Sequence, residues 1–137
     1  MTEISIETFV KRFTTILLQG KDFPKKEQDV HVLLKSATLR LQAGRTYTEK
    51  ELNAELQVWV MQFGIYLVDV NYVALRRYLV DTGYLSRDAA GSSYTLNMKT
   101  LPFSFDTGIE TLDLVEKLEQ EKQARELRKQ EFMNKKS

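Results

Sequence analysis

The sequence predicts a mainly α-helical domain with a small β-hairpin. Apolar residues recur at three- and four-residue steps in several segments, which is typical of helices with one buried face. Two β-rich runs near residue 90 flank a polar loop that contains Gly91, and this pattern indicates a hairpin. Because the order is helix, short strand, helix, helix and hairpin, we predict a winged helix-turn-helix core with added N- and C-terminal helices. The chain then divides into an N-terminal helix (1–20), a winged-helix-like domain (21–98) and a C-terminal charged helix (99–137).

The first two helices are predicted from their apolar stripes and from the residues that end them. Residues 5–18 carry apolar side chains at helical spacing, and Gly20 is placed to end this helix in a left-handed conformation. Pro24 lies near the start of the second helix, where its missing N–H is tolerated. Gly44 is expected to close the second helix.

The third helix is predicted from a capping box, in which Thr48 is followed three residues later by Glu51. The helix is expected to begin directly after Thr48 and to stop at Gly64. Tyr47, just before the box, suits a short strand. Trp59 belongs to the apolar stripe of this helix, and we assign it a structural role.

The fourth helix follows a segment for which the sequence favours no single conformation. Residues 65–68 fit a short extended piece as well as the approach to the next helix. Asp69 is expected to cap the fourth helix, which runs over about residues 70–82. Gly83 is expected to end it, and the hairpin follows directly.

A highly charged last helix is predicted after Thr107, which has Glu110 three residues further on, as in a capping box. The charged residues of 106–121 are mostly acidic and those of 122–136 mostly basic, an order that suits the helix dipole and also lets two copies pair antiparallel. For residues 120–137 a solvated helix and a coiled coil both fit the sequence. The apolar stripe predicted to pack on the first helix, of the same or of a second copy, contains Ile109, Leu112, Val115 and Leu118.

The composition argues against several classes of site. The chain has no cysteine, which excludes disulfides, thiolate zinc sites and cysteine nucleophiles. The single histidine, His31, lies off the apolar stripe of the second helix, so we expect it to be exposed or at the fringe of the core. Neither a glycine-rich phosphate loop after a strand nor a Gly-x-Ser-x-Gly motif occurs. We therefore predict no enzyme activity, no catalytic residue, no metal site and no cofactor.

The N-terminal sequence MTEISIETFVKRF has acidic residues where a secretory signal has basic ones. No apolar run approaches the roughly 20 residues that a membrane span needs. We therefore expect a soluble, cytoplasmic protein without a membrane partner. The net charge of +1 gives the whole molecule no strong bias toward polyanions.

The fourth helix carries two adjacent arginines, and helical geometry predicts different roles for them. At about 100° per residue, Arg76 projects into the broad apolar sector of the helix. We predict that its stem packs on apolar neighbours and that its charged group pairs with a carboxylate, and a phosphate contact from the helix edge is the alternative. The candidate partners are Glu51, Glu55 and Asp81.

Arg77 faces the opposite side of the helix, together with Asn71 and Tyr78. If this helix enters a major groove, these side chains meet base edges or phosphates, because Arg to guanine and Asn to adenine are the favoured pairs. The alternative is a solvated face on which Asp81 neutralises Arg77.

Basic residues outside this helix are further candidates for binding nucleic acid. Residues 21–50 form the clearly basic region of the chain, in which Lys25, Lys26 and Lys50 flank helix starts that suit phosphate. An ordinary soluble surface explains these lysines as well. Arg87 is the basic residue of the hairpin, although the fourth helix and the hairpin together are formally neutral.

Several separated motifs also resemble a known family. The segments FPKKE, GRTYTEKELN, LRRYLVD and G-Y-L-x-R-D, followed by a Gly-Ser turn, are similar to those of an uncharacterised bacterial domain-of-unknown-function family with a winged-helix-like core. The resemblance covers roughly residues 23–97. Members of that family occur alone or fused to ArsR-type helix-turn-helix domains, which implies a transcription-related role. The resemblance supplies no ligand and no catalytic residue, so it strengthens the fold more than the function.

The leading functional prediction is a DNA-binding, transcription-related regulator that uses the helix near residues 70–82 as its recognition helix. The expected partners are double-stranded DNA and a second copy of the chain, bound through the N- and C-terminal helices. The alternative is a protein-interaction or dimerisation module on a winged-helix scaffold that does not bind DNA. Cationic side chains clustered on one side favour DNA, whereas an apolar patch over the same helix favours a protein partner.

Overall fold

The computed structural model describes residues 2–97 and 102–136, and within them the chain is mainly helical with a small antiparallel sheet, as predicted. The α-helices are α1 (Ile6–Gln19), α2 (Glu27–Thr38), α3 (Glu49–Gln62), α4 (Tyr72–Asp81) and α5 (Leu114–Lys136). The strands are β1 (Thr2–Ile4), β2 (Thr46–Thr48), β3 (Leu85–Arg87), β4 (Ser93–Leu96) and β5 (Phe103–Phe105). Short 3₁₀ helices, Gly64–Tyr66 and Thr107–Thr111, precede α4 and α5.

Local sequence signals set the end of α1 and the start of α3 as predicted. α1 ends at Gly20, which adopts a φ of 67° and donates its N–H to the carbonyl of Leu17. At the start of α3, Thr48 Oγ1 accepts from the N–H of Glu51 at 3.1 Å, and Glu51 Oε1 accepts from the N–H of Thr48 at 2.9 Å. Both halves of the capping box are present, so two N–H groups at the helix start find partners.

The hairpin is confirmed, and a third strand joins it. β3 and β4 pair antiparallel, and β2 pairs antiparallel with the other edge of β4, which gives the strand order β2-β4-β3. Tyr47 of β2 lies opposite Tyr94 of β4, and both side chains are buried. β2 comes directly before α3, and β3 and β4 come after α4. The pairing of β2 with β4 therefore joins the two ends of the α3–α4 segment.

One hydrophobic core joins the five α-helices of the described chain and the three-stranded sheet. Trp59 of α3 is fully buried in this core and donates its indole N–H to Ser36 Oγ of α2 at 2.9 Å. Phe13 of α1 packs edge-on against Phe63, with 5.0 Å between the ring centroids. Because its N–H has a partner, Trp59 is buried without losing a hydrogen bond.

α5 packs on α1 of the same chain and then projects beyond it. Leu114 and Leu118 are buried, whereas Val115, which the sequence places in the buried stripe, keeps 50% of its surface exposed. The predicted stripe is interrupted because its first part lies in a 3₁₀ helix, and helical spacing starts again only at Leu114. Residues 126–135 are exposed throughout. Although α5 is long, no helix in residues 2–97 and 102–136 combines the length and apolar character needed to cross a membrane.

Two predicted boundaries near α2 and α4 are wrong. α2 ends at Thr38, and Gly44 instead takes a left-handed conformation in the turn before β2. The cap of α4 is Asn71, whose Oδ1 accepts from the N–H of Ala74, and not Asp69, which has a positive φ of 55°. The undecided segment after α3 forms a 3₁₀ helix and a turn, which moves the start of α4 past Asp69.

The start of the last helical region also differs from the prediction. Asp106, and not Thr107, caps the 3₁₀ helix by accepting from the N–H of Gly108 at 2.8 Å. A second aspartate, Asp113, accepts from the N–H of Glu116 at the start of α5. Two separate helical turns each need a cap, and an aspartate provides it in both.

β1 and β5 form a parallel pair that the sequence did not predict. Ile4 of β1 lies opposite Phe105 of β5 and is buried, and Phe105 packs edge-on against Phe9 of α1. Each strand has three residues, which is too short for an alternating pattern to be recognised.

His31 is buried, which corrects the prediction that it is exposed or at the fringe of the core. Its Nδ1 lies 2.8 Å from the hydroxyl oxygen of Tyr84, and its ring contacts the ring of Phe103. Tyr84, just before β3, and Phe103 of β5 thus cover the face of α2 that carries His31 and lies outside the apolar stripe. Burial lowers the pKa of His31, and the nearby charge of Glu27 opposes this effect.

Candidate nucleic-acid interface

α4 packs on α3 with one face in the core and the opposite face open to solvent. Leu75 and Leu79 are fully buried, whereas Arg77 and Tyr78 are exposed. Val73, on the open side, keeps 46% of its surface exposed. Core contacts therefore set the position of the predicted recognition helix and leave the side chains of its outer face available to a partner.

Arg76 connects α4 to the first turns of α3. Its Nη1 donates to Asn53 Oδ1 at 2.6 Å and lies 3.3 Å from Glu49 Oε1. Two of the carboxylates predicted as partners are instead bound by other arginines, as the pairs Arg40–Glu55 and Arg45–Glu51 show. Arg76 therefore pairs with a carboxylate, but this carboxylate is Glu49 and not one of the three candidates named from the sequence, Glu51, Glu55 and Asp81.

Arg77 is exposed and makes no hydrogen bond or ion pair with any residue that the structure describes. Asp81 is the residue that the sequence suggests as a neutralising partner of Arg77. It lies on the same side of α4, where both residues line a hollow next to the hairpin, but the two side chains form no ion pair. The guanidinium of Arg77 is therefore free to bind an anion from outside the chain.

The other two predicted residues of α4 already have contacts within the protein. Asn71 Oδ1 accepts the capping hydrogen bond from Ala74 at 2.9 Å, so in this conformation Asn71 does not offer both amide atoms to an adenine. The ring of Tyr78 stacks on Phe23, with 4.9 Å between centroids and 13° between planes. Tyr78 still exposes 38% of its surface, so its outer edge remains accessible.

The loop of the hairpin is ordered around Asp88. Its Oδ1 accepts from the backbone N–H groups of Ser93 at 3.1 Å and Ser92 at 2.7 Å, and its Oδ2 accepts from Ser92 Oγ at 3.1 Å. These hydrogen bonds, above all the backbone bond from Ser93, lower the pKa of Asp88 to about 2. Asp88 is thus charged near neutral pH but directs its oxygens to the loop and not to the neighbouring Arg87.

Arg87 lies over the end of the hairpin without a carboxylate partner among the residues of the described chain. Its Nη2 donates to Gly91 O at 3.5 Å, and its guanidinium carbon is 5.8 Å from the centre of the Tyr94 ring. Gly91 has a φ of +73°, and a Cβ at this position would come within 2.6 Å of Arg87 Nη2. A glycine here therefore provides both the turn and the space for the guanidinium.

A hollow of about 240 Å³ lies between α4 and the hairpin, and we call it the α4–hairpin hollow. It brings together three arginines from two elements of structure, together with one acid and three apolar side chains. Its lining residues are Val73, Arg76, Arg77, Val80, Asp81, Arg87 and Tyr94. Sequence reasoning singled out the three arginines separately and did not predict that they share one concave surface.

The predicted lysines lie on neighbouring elements. Lys25 and Lys26 are exposed in the turn before α2, which is attached to α4 through the stack of Phe23 on Tyr78. Lys50 is exposed in the first turn of α3, next to the Glu49 that binds Arg76. None of the three lysines forms an ion pair within the described residues. No sequence signal pointed to Phe23, because a single aromatic residue in a turn has no periodic pattern.

Comparisons with known proteins identify a family but no individual relative. Neither the curated proteins nor the solved structures give a match to the chain. A family model described as an uncharacterized protein conserved in bacteria (DUF2087) matches residues 21–96, which is more than half of the chain. The matched segment starts at the turn before α2 and ends with β4, so it contains α3, α4 and the complete hairpin. The chain therefore belongs to this bacterial family of uncharacterized proteins.

Proposed function

We propose that the protein binds double-stranded DNA through α4 and the adjacent hairpin and acts in the regulation of transcription. The observation that supports this most is that Arg77 and Arg87, from two different elements, line one hollow, and neither pairs with a carboxylate among the residues that the structure describes. Guanidinium groups that a helix and its neighbouring hairpin present without a carboxylate partner in the described chain suit contacts to base edges and phosphates.

We also propose that the segment from α2 to β4 is a winged helix. The element order α2, β2, α3, α4, β3, β4 and the pairing of β2 with β4 support this assignment. In a winged helix the last helix before the hairpin enters the major groove. α4 occupies this position, and its exposed face carries Arg77.

Arg77 can contact a guanine base or a backbone phosphate, and the two contacts predict different effects of Arg77→Ala on DNA binding. A bidentate contact to guanine would make Arg77→Ala cost about 1–3 kcal/mol at preferred sequences only, whereas a phosphate contact would weaken all sequences alike. Lys25, Lys26 and Lys50 are proposed to meet phosphates on either side of the groove, because each is exposed and without an ion partner in the described chain.

Fluorescence anisotropy with a labelled random-sequence duplex, at low and moderate salt, tests the proposal. We expect salt-sensitive binding that Arg77→Glu removes. Lys117→Glu is the matched control, because it changes the charge equally at a position that lines the groove between α1 and α5. Absence of binding at low salt, or equal loss with both variants, would contradict recognition through α4.

A protein-interaction module is the second candidate, and the apolar part of the same helix favours it. Val73 exposes 46% of its surface and Tyr78 38%, so the open face of α4 is not purely polar. If DNA binding is absent, a partner protein on this face becomes the better proposal. If the Val73→Asp variant then binds that partner as strongly as the unchanged protein does, the contact is not apolar.

A homodimer through the terminal helices is also a proposal. The charged residues of α5 are mostly acidic in its first part and mostly basic in its second, and residues 126–135 are exposed. Leu127, Phe132 and Met133 point to different sides at about 100° per residue, so they form no coiled-coil seam. Charge pairing is therefore the support for an antiparallel dimer, and sedimentation equilibrium should show dissociation as salt is raised.

A further inference from the structure

The α4–hairpin hollow has the side chains that a phosphate group needs. Three arginines line it, and the guanidinium groups of Arg77 and Arg87 can offer N–H donors to the oxygens of one phosphate. Three apolar side chains, Val73, Val80 and Tyr94, complete its wall. Apolar walls lower the local dielectric and so strengthen the attraction between a bound anion and the arginines.

The charge inside the hollow matches a singly charged anion. Arg76 is paired with Glu49, and Asp81 lines the hollow together with Arg77 and Arg87. Counting Arg76, Arg77 and Arg87 against Glu49 and Asp81 leaves a surplus of one positive charge. A phosphodiester carries one negative charge, so its binding would neutralise this surplus.

Two of the three arginines are held in position before any ligand binds. Asn53 and Glu49 hold Arg76 from the side of α3. On the other side, the loop built around Asp88 and the space left by Gly91 position Arg87. Arg77 makes no hydrogen bond or ion pair within residues 2–97 and 102–136, so it can turn toward an incoming oxygen at little cost.

We infer that the α4–hairpin hollow binds one phosphate group, contacted by Arg77 and Arg87 while Arg76 forms its fixed inner wall. The identity of the carrier rests on the proposed function: on a duplex, the group is a backbone phosphodiester beside the major groove that α4 enters. Phosphate contacts of this kind fix the register of a recognition helix on DNA.

The salt dependence of duplex binding tests this inference. Each neutralised phosphate contributes about 0.9 to the slope of log K against log salt concentration, so Arg87→Gln should reduce the slope by about that amount. Arg87→Lys keeps the charge and should restore the slope. Arg128→Gln removes a guanidinium from exposed α5 and should leave the slope unchanged. Thermal melts of each variant separate a loss of contact from a loss of fold.

A second measurement distinguishes a phosphate on DNA from phosphate alone. Inorganic phosphate is titrated into the ¹⁵N-labelled protein while the Nε–H signals of Arg77 and Arg87 are followed, and we expect both to shift. Duplex binding with no effect of Arg87→Gln would overturn the inference and leave the proposed function standing. Phosphate shifts without duplex binding would support the hollow and overturn the proposed function, and absence of both would overturn both.

Discussion

The two adjacent arginines of α4 give the sharpest test of how the structure is held together. Arg76→Ala should destabilise the protein, because it removes a 2.6 Å hydrogen bond to Asn53 and an ion pair with Glu49 that joins α4 to α3. Arg77→Ala should leave stability nearly unchanged, because Arg77 has no partner in the described chain. The two substitutions change helix propensity equally, so each is the control for the other.

The expected loss of stability follows from the exposure of the Arg76 and Glu49 side chains. The Arg76 side chain is 20% exposed, so its hydrogen bond to Asn53 is partly shielded and is worth roughly 1–1.5 kcal/mol. Glu49 is 48% exposed, and solvent screening limits its contribution to about 0.5 kcal/mol or less. We therefore expect Arg76→Ala to lower the free energy of unfolding by about 1–2 kcal/mol and Arg77→Ala by less than about 0.5 kcal/mol.

Urea unfolding followed by circular dichroism at 25 °C measures both values, provided that the slopes of the transitions agree. Arg76→Met keeps the stem and should recover the part of the loss that comes from packing on α3 and α4. Equal stability of Arg76→Ala and Arg77→Ala, within about 0.3 kcal/mol, would refute the assignment of a structural role to Arg76.

Three further outcomes are expected. Burial lowers the pKa of His31 in the folded state, so the unfolded chain binds more protons when the pH is below about 6.5. The free energy of unfolding should therefore fall as the pH drops below this value. In His31→Gln the free energy of unfolding should depend less on pH over the same range. Gly91→Ala should strain the hairpin loop, because φ is +73° and its Cβ would contact Arg87, and the melting temperature should drop without a change in helix content. Thr48→Ala removes half of a capping box and should cost about 1 kcal/mol in urea unfolding, whereas an unchanged midpoint would contradict its capping role.

Sequence reasoning predicted those parts of the fold that depend on residues close together in the chain. The end of α1 at Gly20 and the capping box of Thr48 with Glu51 follow from local hydrogen bonds, so they were recognisable. The burial of His31 was not, because it depends on Tyr84 and Phe103, far away in the sequence. A helix that is covered on several sides gives no single apolar stripe, and its polar residues are then misjudged as exposed.

The candidate interface shows the same division. The helical period was enough to separate the inward Arg76 from the outward Arg77. A count of charges made the fourth helix and the hairpin together formally neutral, but three hydrogen bonds from the loop occupy the oxygens of Asp88. A net charge of zero over a helix and a hairpin therefore does not predict the charge of their outer surface, because the turn can direct a carboxylate inward and leave an arginine exposed.

The pairing of β1 with β5 has a consequence for the order in which the chain acquires its structure. Chains fold as they emerge from the ribosome, N-terminal part first, and contacts between distant segments form slowly. β1 lies before α1 in the chain, whereas its partner β5 follows α4 and the hairpin. Until β5 has been made, Ile4 of β1 and Phe9 of α1 lack their contacts with Phe105. During synthesis these apolar side chains therefore stay without their β5 partner until α4 and the hairpin have been made.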